Sequence, residues 1–509
     1  MYQLLLTRKY LSSKVMPLLA SLAVLLCTAM VLVIWSVMGG FLDMLVRSGR
    51  TMTGDVIVAW PNAGFGHYED LVRRLEADEM VEAAAPVIES FALIGLPDGR
   101  QETVMLRGVD GPSYGRVTAF RDILWWKKID RPLPKDKDLL DPRNRALKAP
   151  GWDAVYEQGL SLTVKDRSTG APTAALVMGI EVSGFNDRTE HGFYNPMKVF
   201  RRTPDGGHEV VDLFMPVDGT ITVNTIPLDS RGTAVETVSR VLPVANEFMS
   251  GLFDLDNRLV LVRLDMAQEM LKLGKSDRVV DDPSSPDGYR IVGENPARVT
   301  HVLVRGKGDL GTFGAANPLK RRVESIYEQF AEAHRGEVPG LVPIVIMTWE
   351  DQNRTMIGAV RKETALVLSL FSLVSLVAVI LVLTIFWAMI SDKTRDIGIM
   401  RALGASKAGI AWVWLMYGLA IGVVGSSLGM VTAYVIVTNI NPIHEWMGSA
   451  MGLTIWDPAV YYFFTIPNRV DPSHAAIVWA GGVLSCFVGA FIPAVRAANM
   501  RPVRALRFE

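Results

Sequence analysis

The 509-residue sequence is poor in cysteine, histidine and net charge, and each shortage removes a class of function. Its two cysteines, Cys27 and Cys486, both lie inside apolar runs, so they read as small core or lipid-facing residues and not as a disulfide or a metal pair. The seven histidines are scattered, and zinc-ligand spacing is absent. Lys and Arg number 52 against 53 Asp and Glu, a net charge of −1, which lacks the basic footprint of a nucleic-acid binder. No G-x-S-x-G pattern sets a serine on a strained turn. The tripeptide GKS at Gly274–Ser276 has Glu269 where a phosphate-binding loop needs its first glycine, and a helix-like run precedes it instead of a strand. An enzyme reading therefore has no anchor in this sequence.

What the sequence has is long apolar runs. Val15–Leu42, Ala365–Ile390, Ala408–Ile443 and Ala475–Val495 contain no Asp, Glu, Lys or Arg, and a bilayer core needs about 20 apolar residues in a helix. The third run is longer than required and is expected to leave the bilayer before Asn441-Pro442. The first follows Arg8, Lys9 and Lys14, as a signal peptide would, but it far exceeds an h-region of roughly 7–15 residues and ends in no small-x-small site. It reads as an uncleaved anchor. Lys and Arg gather on one side of the spans: Arg8, Lys9 and Lys14, then Lys393, Arg395, Arg401 and Lys407, then Arg496, Arg501, Arg504 and Arg507. Cytoplasmic flanks collect such charge, so both termini are expected inside. The expected order is a cytoplasmic N-terminus (1–14), a span (15–42), an extracytoplasmic domain (43–363) and a second span (364–390). A cytoplasmic coupling stretch (391–407), a third span (408–440), an outside loop (441–474), a fourth span (475–495) and a cytoplasmic tail (496–509) complete it.

The outside segment holds β-like runs rich in Val, Ile and Thr, at Gly54–Trp60, Thr220–Asn224, Arg258–Leu264 and Arg298–Gly306. Helical patterns lie between them at Asp70–Ala77, Asp265–Leu273 and Pro318–His334. The fold class expected is an α-helical membrane protein with four transmembrane helices and a large α+β extracytoplasmic domain between helices 1 and 2. Lys127–Pro150 and Ser276–Tyr289, dense in charge, proline and turn residues, read as exposed loops.

Two further patterns bear on function. In the short stretch Ser391–Ser406, SDKTRDIGIMRALGAS, Ile397, Met400 and Leu403 fall three apart, with Ile399 and Ala402 alongside. Asp392, Lys393, Arg395, Asp396 and Arg401 supply charge, and Gly404 stands where a helix ends. This is either a solvated connector or a docking helix whose apolar edge needs a protein to cover it. The third span carries Gly418-x-x-x-Gly422 and Gly425-x-x-x-Gly429, spacing that lets membrane helices approach closely, within the chain or against a second one. Trp349, Met356 and Val360 fall on one face of a helix expected to run unbroken into the second span.

Arg395–Ala405, RDIGIMRALGA, closely resembles the cytoplasmic loop of permeases in the FtsX/MacB superfamily of ABC transporters. TWEDQNR at Thr348–Arg354 and the C-terminal IPAVRAANMRPVRALRFE are similar to the same superfamily. Asn246–Leu271 and Tyr461–Ala476 are similar to segments of the lipoprotein-releasing LolC/LolE permease subunits, over a chain matched at about Met1–Trp60 and Asn246–Glu509. The resemblance implies a MacB-like periplasmic core and a bacterial inner-membrane permease that does not itself hydrolyse ATP. It implies a cytoplasmic ATPase dimer that carries the ATP and magnesium, with no cofactor on this chain. That ATPase would couple through Arg395, Asp396, Ile397, Ile399, Met400, Arg401, Ala402, Leu403 and Gly404. It further implies a second permease chain, identical or related, and lipoprotein or other envelope cargo moved by mechanotransmission. A MacB-type exporter of peptides or drugs, or an FtsX-type regulator of cell-wall hydrolases, are the other functions in the superfamily.

Overall fold

The computed structural model describes residues 15–61, 63–127, 152–166, 169–188, 194–202, 206–227, 236–281, 289–308, 317–452 and 465–501. The basic N-terminus 1–14, the loop expected at 128–150 and the tail arginines Arg504 and Arg507 lie outside the described residues. The chain divides into two compact units, one of long helices and one that lies mainly between Leu45 and Arg354.

The first helix, α1 (Val15–Thr53), runs 11 residues beyond Leu42, where the apolar run stops. Loss of hydropathy ends a membrane span, but it does not end a helix when no proline or cap intervenes.

In the second unit, β1 (Val56–Ala59), β2 (Val81–Gly95), β3 (Gln101–Val109), β4 (Leu176–Gly179), β5 (Thr220–Thr225), β6 (Val238–Phe248), β7 (Leu259–Arg263), β8 (His301–Gly306) and β9 (Val345–Thr348) form one sheet. Its order is β5-β6-β4-β7-β3-β2-β8-β1-β9. β7 runs parallel to β3 and β6 parallel to β4; the remaining neighbours are antiparallel. The long β2 pairs with β8 through Val81–Val87 and with β5 through Ala92–Gly95, and this second pairing closes six strands into a ring. LVMG in β4 and the LVLV of β7 are buried at every position, as uninterrupted apolar strands are when both sheet faces are covered. Val56 and Val58 of β1 enter one core, and Ile57 and Ala59 the other. Helices α2 (Tyr68–Glu76) and α3 (Asn317–Ala333) cover the first core; α3 buries Leu319, Val323, Ile326, Tyr327 and Phe330 at helical spacing.

A buried charge joins α1 to this sheet. Arg107 of β3 pairs with Glu89 of β2, Nη2 to Oε1 2.5 Å. Its Nη1 donates to the Met52 carbonyl at 2.8 Å and to the Tyr114 hydroxyl at 2.9 Å. Burial pushes the Glu89 carboxyl up, and the Arg107 and His301 charges outweigh that and hold it below the usual range.

Two expectations need correcting here. Ser276–Tyr289 is not a loop throughout, because Ser276–Asp281 and Tyr289–Asn295 pair as an antiparallel hairpin. The β-branched Val279 and Val280 favour the first strand, and residues 282–288 lie outside the described residues. The helix into the second span is not continuous from Trp349 either. Trp349–Gln352 is a single turn with Thr348 as its capping box, Asn353 ends it, and the long helix starts afresh at Arg354.

The helical unit comprises the membrane part of α1, α4 (Arg354–Asp392), α5 (Thr394–Ala402), α6 (Lys407–Thr438), α7 (Ile440–Met451) and α8 (Pro472–Ala498). Pro17–Met44 within α1, together with α4, α6 and α8, are long and apolar enough to cross a membrane. The outside loop expected at 441–474 contains α7, closed by Gly452 at a φ of 67°.

Candidate functional site: the coupling stretch and its helix bundle

The bundle is built on close approach at glycine. A Cβ at Gly418 would stand 2.6 Å from the Ala490 Cβ, and one at Gly422 would stand 3.0 Å from the Cys486 Cβ, both on α8. At Gly425 it would meet the Ser21 carbonyl at 2.9 Å, and at Gly429 the Leu25 carbonyl at 2.7 Å, both on α1. The two glycine pairs therefore face two different helices of the same chain. Of the two kinds of packing the spacing allows, the contacts at these glycines are with helices of the same chain. Trp479 Nε1 of α8 donates to the Ser427 hydroxyl of α6 at 3.1 Å, a further tie between the two helices.

At the end of this bundle α4 stops at Asp392, α5 takes nine residues, and α6 begins at Lys407. Each junction has its cause. Thr394 Oγ1 donates to the Ser391 carbonyl at 2.8 Å, tightening the turn out of α4. Gly404 adopts a φ of 95°, which ends α5, since only glycine takes that conformation without strain. The Ser406 hydroxyl accepts from Gly409 N at 3.0 Å and so caps the first turn of α6. Lys393 Nζ pairs with Asp396 Oδ2 at 2.8 Å, and Arg401 Nη1 donates to the Ala405 carbonyl at 3.0 Å.

The apolar edge drawn from the sequence does not exist as one surface. Ile397 is 0% exposed and belongs to the bundle core with Phe386, Met389, Ile390, Ile410 and Trp414, and Met400 packs against the same cluster. Leu403, by contrast, is 83% exposed, and Ile399 is 46% exposed. The helix turns Thr394, Ile397 and Gly398 inward, and Arg395, Ile399, Ala402, Leu403 and Gly404 outward. Spacing by three is satisfied by either face of a short helix, so the sequence could not choose which face the neighbouring helices would cover. Asp396 and Arg401 lie between the two faces, half-buried.

Three contributors were missed in the sequence. Thr394 and Gly398 are buried on the inward face. Arg496 of α8 lies over the Trp387 ring of α4, with 3.8 Å from the guanidinium carbon to the ring centre, a cation–π contact that fastens the C-terminal ends of those two helices. An arginine just past an apolar run reads as an orientation signal, and its aromatic partner comes from a distant segment. GKS at Gly274–Ser276 leads into the strand that starts at Ser276 and follows the helix Leu264–Met270, the reverse of a phosphate loop's strand-to-helix order.

Residues 368–502 match the model of the FtsX-like permease C-terminal family. Across 474 residues the chain is 26% identical to the lipoprotein-releasing system transmembrane protein LolC of Xylella fastidiosa, an alignment covering 93% of this chain and 89% of that one. It is 27% identical over 147 residues to the macrolide export ATP-binding/permease protein MacB of Nitrobacter winogradskyi, covering 29% of this chain and 20% of the other. The periplasmic region of MacB from Actinobacillus actinomycetemcomitans aligns over 61% of this chain and 95% of its own, at 9% identity and a TM-score of 0.26, a likeness too slight to argue from.

Proposed function

We propose that this chain, an FtsX-like permease over residues 368–502, is the membrane subunit of an ABC transporter of the bacterial inner membrane that releases lipid-anchored cargo outside, driven by a separate cytoplasmic ATPase. The observation that carries the coupling is the two-faced α5. Its inward residue Ile397 sits in the bundle core, while Ile399 and Leu403 stand bare on the opposite side. An ATPase seated on Arg395, Ile399, Ala402 and Leu403 would push α5 as a rigid piece. The close-packed core at Ile397 would pass that displacement to α4 and α6, since packed interiors transmit strain. Gly418 and Gly422 would carry it on to α8, and Gly425 and Gly429 to α1.

The cargo class rests on the LolC relative, which aligns with nearly the whole chain. A cavity of about 290 Å³ among α1, α4 and α8, with Cys27, Val31, Trp35, Val379 and Ile477 in its wall, offers apolar space of the kind an acyl chain needs. Along α4, Leu366, Leu370, Leu373 and Val377 are all more than half exposed, a stripe that suits lipid or a second permease chain. The MacB relative supports a second reading, export of a soluble peptide or small molecule.

The test is co-purification of the ATPase together with cargo release from proteoliposomes. Burying Leu403 contributes roughly 1.5–3 kcal/mol, so Leu403→Asp weakens ATPase binding by about 10–100-fold and abolishes release. Lys407→Ala leaves both unchanged. Wild-type ATPase binding by an Ile399→Asp/Leu403→Asp double variant would sink the docking face. Release of a soluble substrate but of no acylated one would favour the exporter reading.

A further inference from the structure

In the unit that lies mainly between Leu45 and Arg354, two histidines and a glutamate from separate parts of the chain meet at one place. His67 immediately precedes α2, His334 immediately follows α3, and Glu337 lies in the turn beyond it. The two imidazole rings stack with centres 4.2 Å apart and planes 16° off parallel. A ring nitrogen of each histidine and a carboxylate oxygen of Glu337 all lie within 4.8 Å of one another. From this convergence we propose that His67, His334 and Glu337 form a binding site for a late first-row divalent metal, zinc above all, that clasps the start of α2 to the end of α3.

The donor set selects the class of ion. Two imidazoles with one carboxylate suit zinc and its neighbours, whereas calcium and magnesium take oxygen ligands. Three protein ligands leave a fourth position for water on a tetrahedral zinc. With zinc–ligand distances of about 2.0–2.1 Å the donors stand roughly 3.3 Å apart, so the cluster has to contract by an ångström or so. All three side chains are partly or fully exposed and free to make that adjustment.

Asp70 and Phe330 hold His334 from behind, and the two remaining ligands, His67 and Glu337, are bonded to each other. Asp70 Oδ2 accepts from His334 Nε2 at 3.1 Å, and the Phe330 ring stands 5.0 Å from the His334 ring. Glu337 Oε2 accepts from His67 Nε2 at 2.7 Å, while Oε1 faces Arg278 at 3.5 Å. Carboxylates behind ligating histidines fix the ring and raise its basicity. Backbone conformation points the same way. His67 occupies the helix N-cap at a φ of 57° and makes no side-chain cap bond, so its imidazole is left to this cluster.

The experiment uses the full-length chain in detergent, purified without a polyhistidine tag, with zinc ions supplied from a chelator buffer. The expected result is one zinc per chain in the micromolar range or tighter, together with a higher unfolding midpoint in zinc, as any ligand selective for the native state produces. His67→Gln or His334→Gln weakens binding by about 100-fold or more, since loss of a ligand costs at least as much as the roughly 10–100-fold of an outer-shell change. His208→Gln, on an exposed strand elsewhere, changes nothing. Zinc-edge absorption shows two imidazole ligands. Absence of one-to-one binding in the wild type, or wild-type zinc affinity in both histidine variants, overturns the proposal and leaves an ion-paired clasp. Should either histidine variant fail to fold, Glu337→Gln at the exposed corner decides the matter, and unchanged zinc affinity there refutes it.

Discussion

Replacing Gly418 by alanine adds a single methyl group to α6 at a place where none fits. Its Cβ would stand 2.6 Å from the Ala490 Cβ of α8, with the Cys486 carbonyl at 3.4 Å and the Phe386 ring at 3.5 Å. Carbon pairs are comfortable at about 3.5–4.0 Å, so α6 and α8 must part by roughly 1 Å. The rigid Ala490 methyl has no rotamer to yield. Overpacking of this kind costs about 1–3 kcal/mol. Cys486 is itself the reporter, because it is fully buried in this contact. In a Cys27→Ala background, labelling by a thiol-reactive dye during a temperature ramp reports the opening of the α6–α8 seam. At about 2–4 °C per kcal/mol the labelling midpoint falls by roughly 2–12 °C. The control is Gly481→Ala on α8, where nothing lies within 4 Å of the new methyl. That variant keeps the parent midpoint or exceeds it, since alanine is the better helix former. Equal midpoints for Gly418→Ala and its parent would show that the glycines do not set the helix separation.

Other outcomes follow from buried charge and from topology. Burial pushes the Glu247 carboxyl up to about 7, despite hydrogen bonds from Trp126, Asn186 and Ser183, and burial does the same to Asp256. Between their ordinary range and pH 7 the folded chain keeps protons that the unfolded chain has lost, so these two groups make stability fall as pH rises through that window and flatten above it. Glu247→Gln removes one share, about 3 kcal/mol at 1.36 kcal/mol per pKa unit; a wild-type slope between pH 5 and 7 in that variant would contradict this. Arg107→Met strands Glu89 and unties the Met52 carbonyl, a loss of about 3–5 kcal/mol, and adding Glu89→Gln recovers part of it in a double-mutant cycle of unfolding midpoints. Ile397→Asp disrupts the bundle and speeds Cys486 labelling, whereas Leu403→Asp leaves labelling at the wild-type rate. Single cysteines at Lys407 and Asp138 are expected to differ in intact cells, the first shielded from an impermeant thiol reagent and the second labelled; labelling at Lys407 would overturn the proposed topology.

The four apolar helices, the α+β character of the outer unit and the permease resemblance were legible because they depend on local information. Uncharged runs of membrane length, the all-apolar LVLV within Arg258–Leu264, and the RDIGIMRALGA segment each lie within one window of the sequence. Individual helix ends were less legible, because α1 outlasts its apolar run and Asn353 interrupts what hydrophobic spacing joined.

Tertiary structure decided whatever depends on a partner from elsewhere in the chain. It assigned Gly418 and Gly422 to α8, and Gly425 and Gly429 to α1, although spacing by four says only that something comes close. It turned Ile397 into the core and left Leu403 bare, because α4, α6 and α8 cover one face of α5 and a nine-residue helix carries apolar side chains on both. It also brought His67 to His334 and Glu337 across more than 260 positions of sequence. A side chain's type is fixed where it stands in the sequence, but its neighbours are fixed by how distant segments share the cost of leaving water, and only the folded chain settles that.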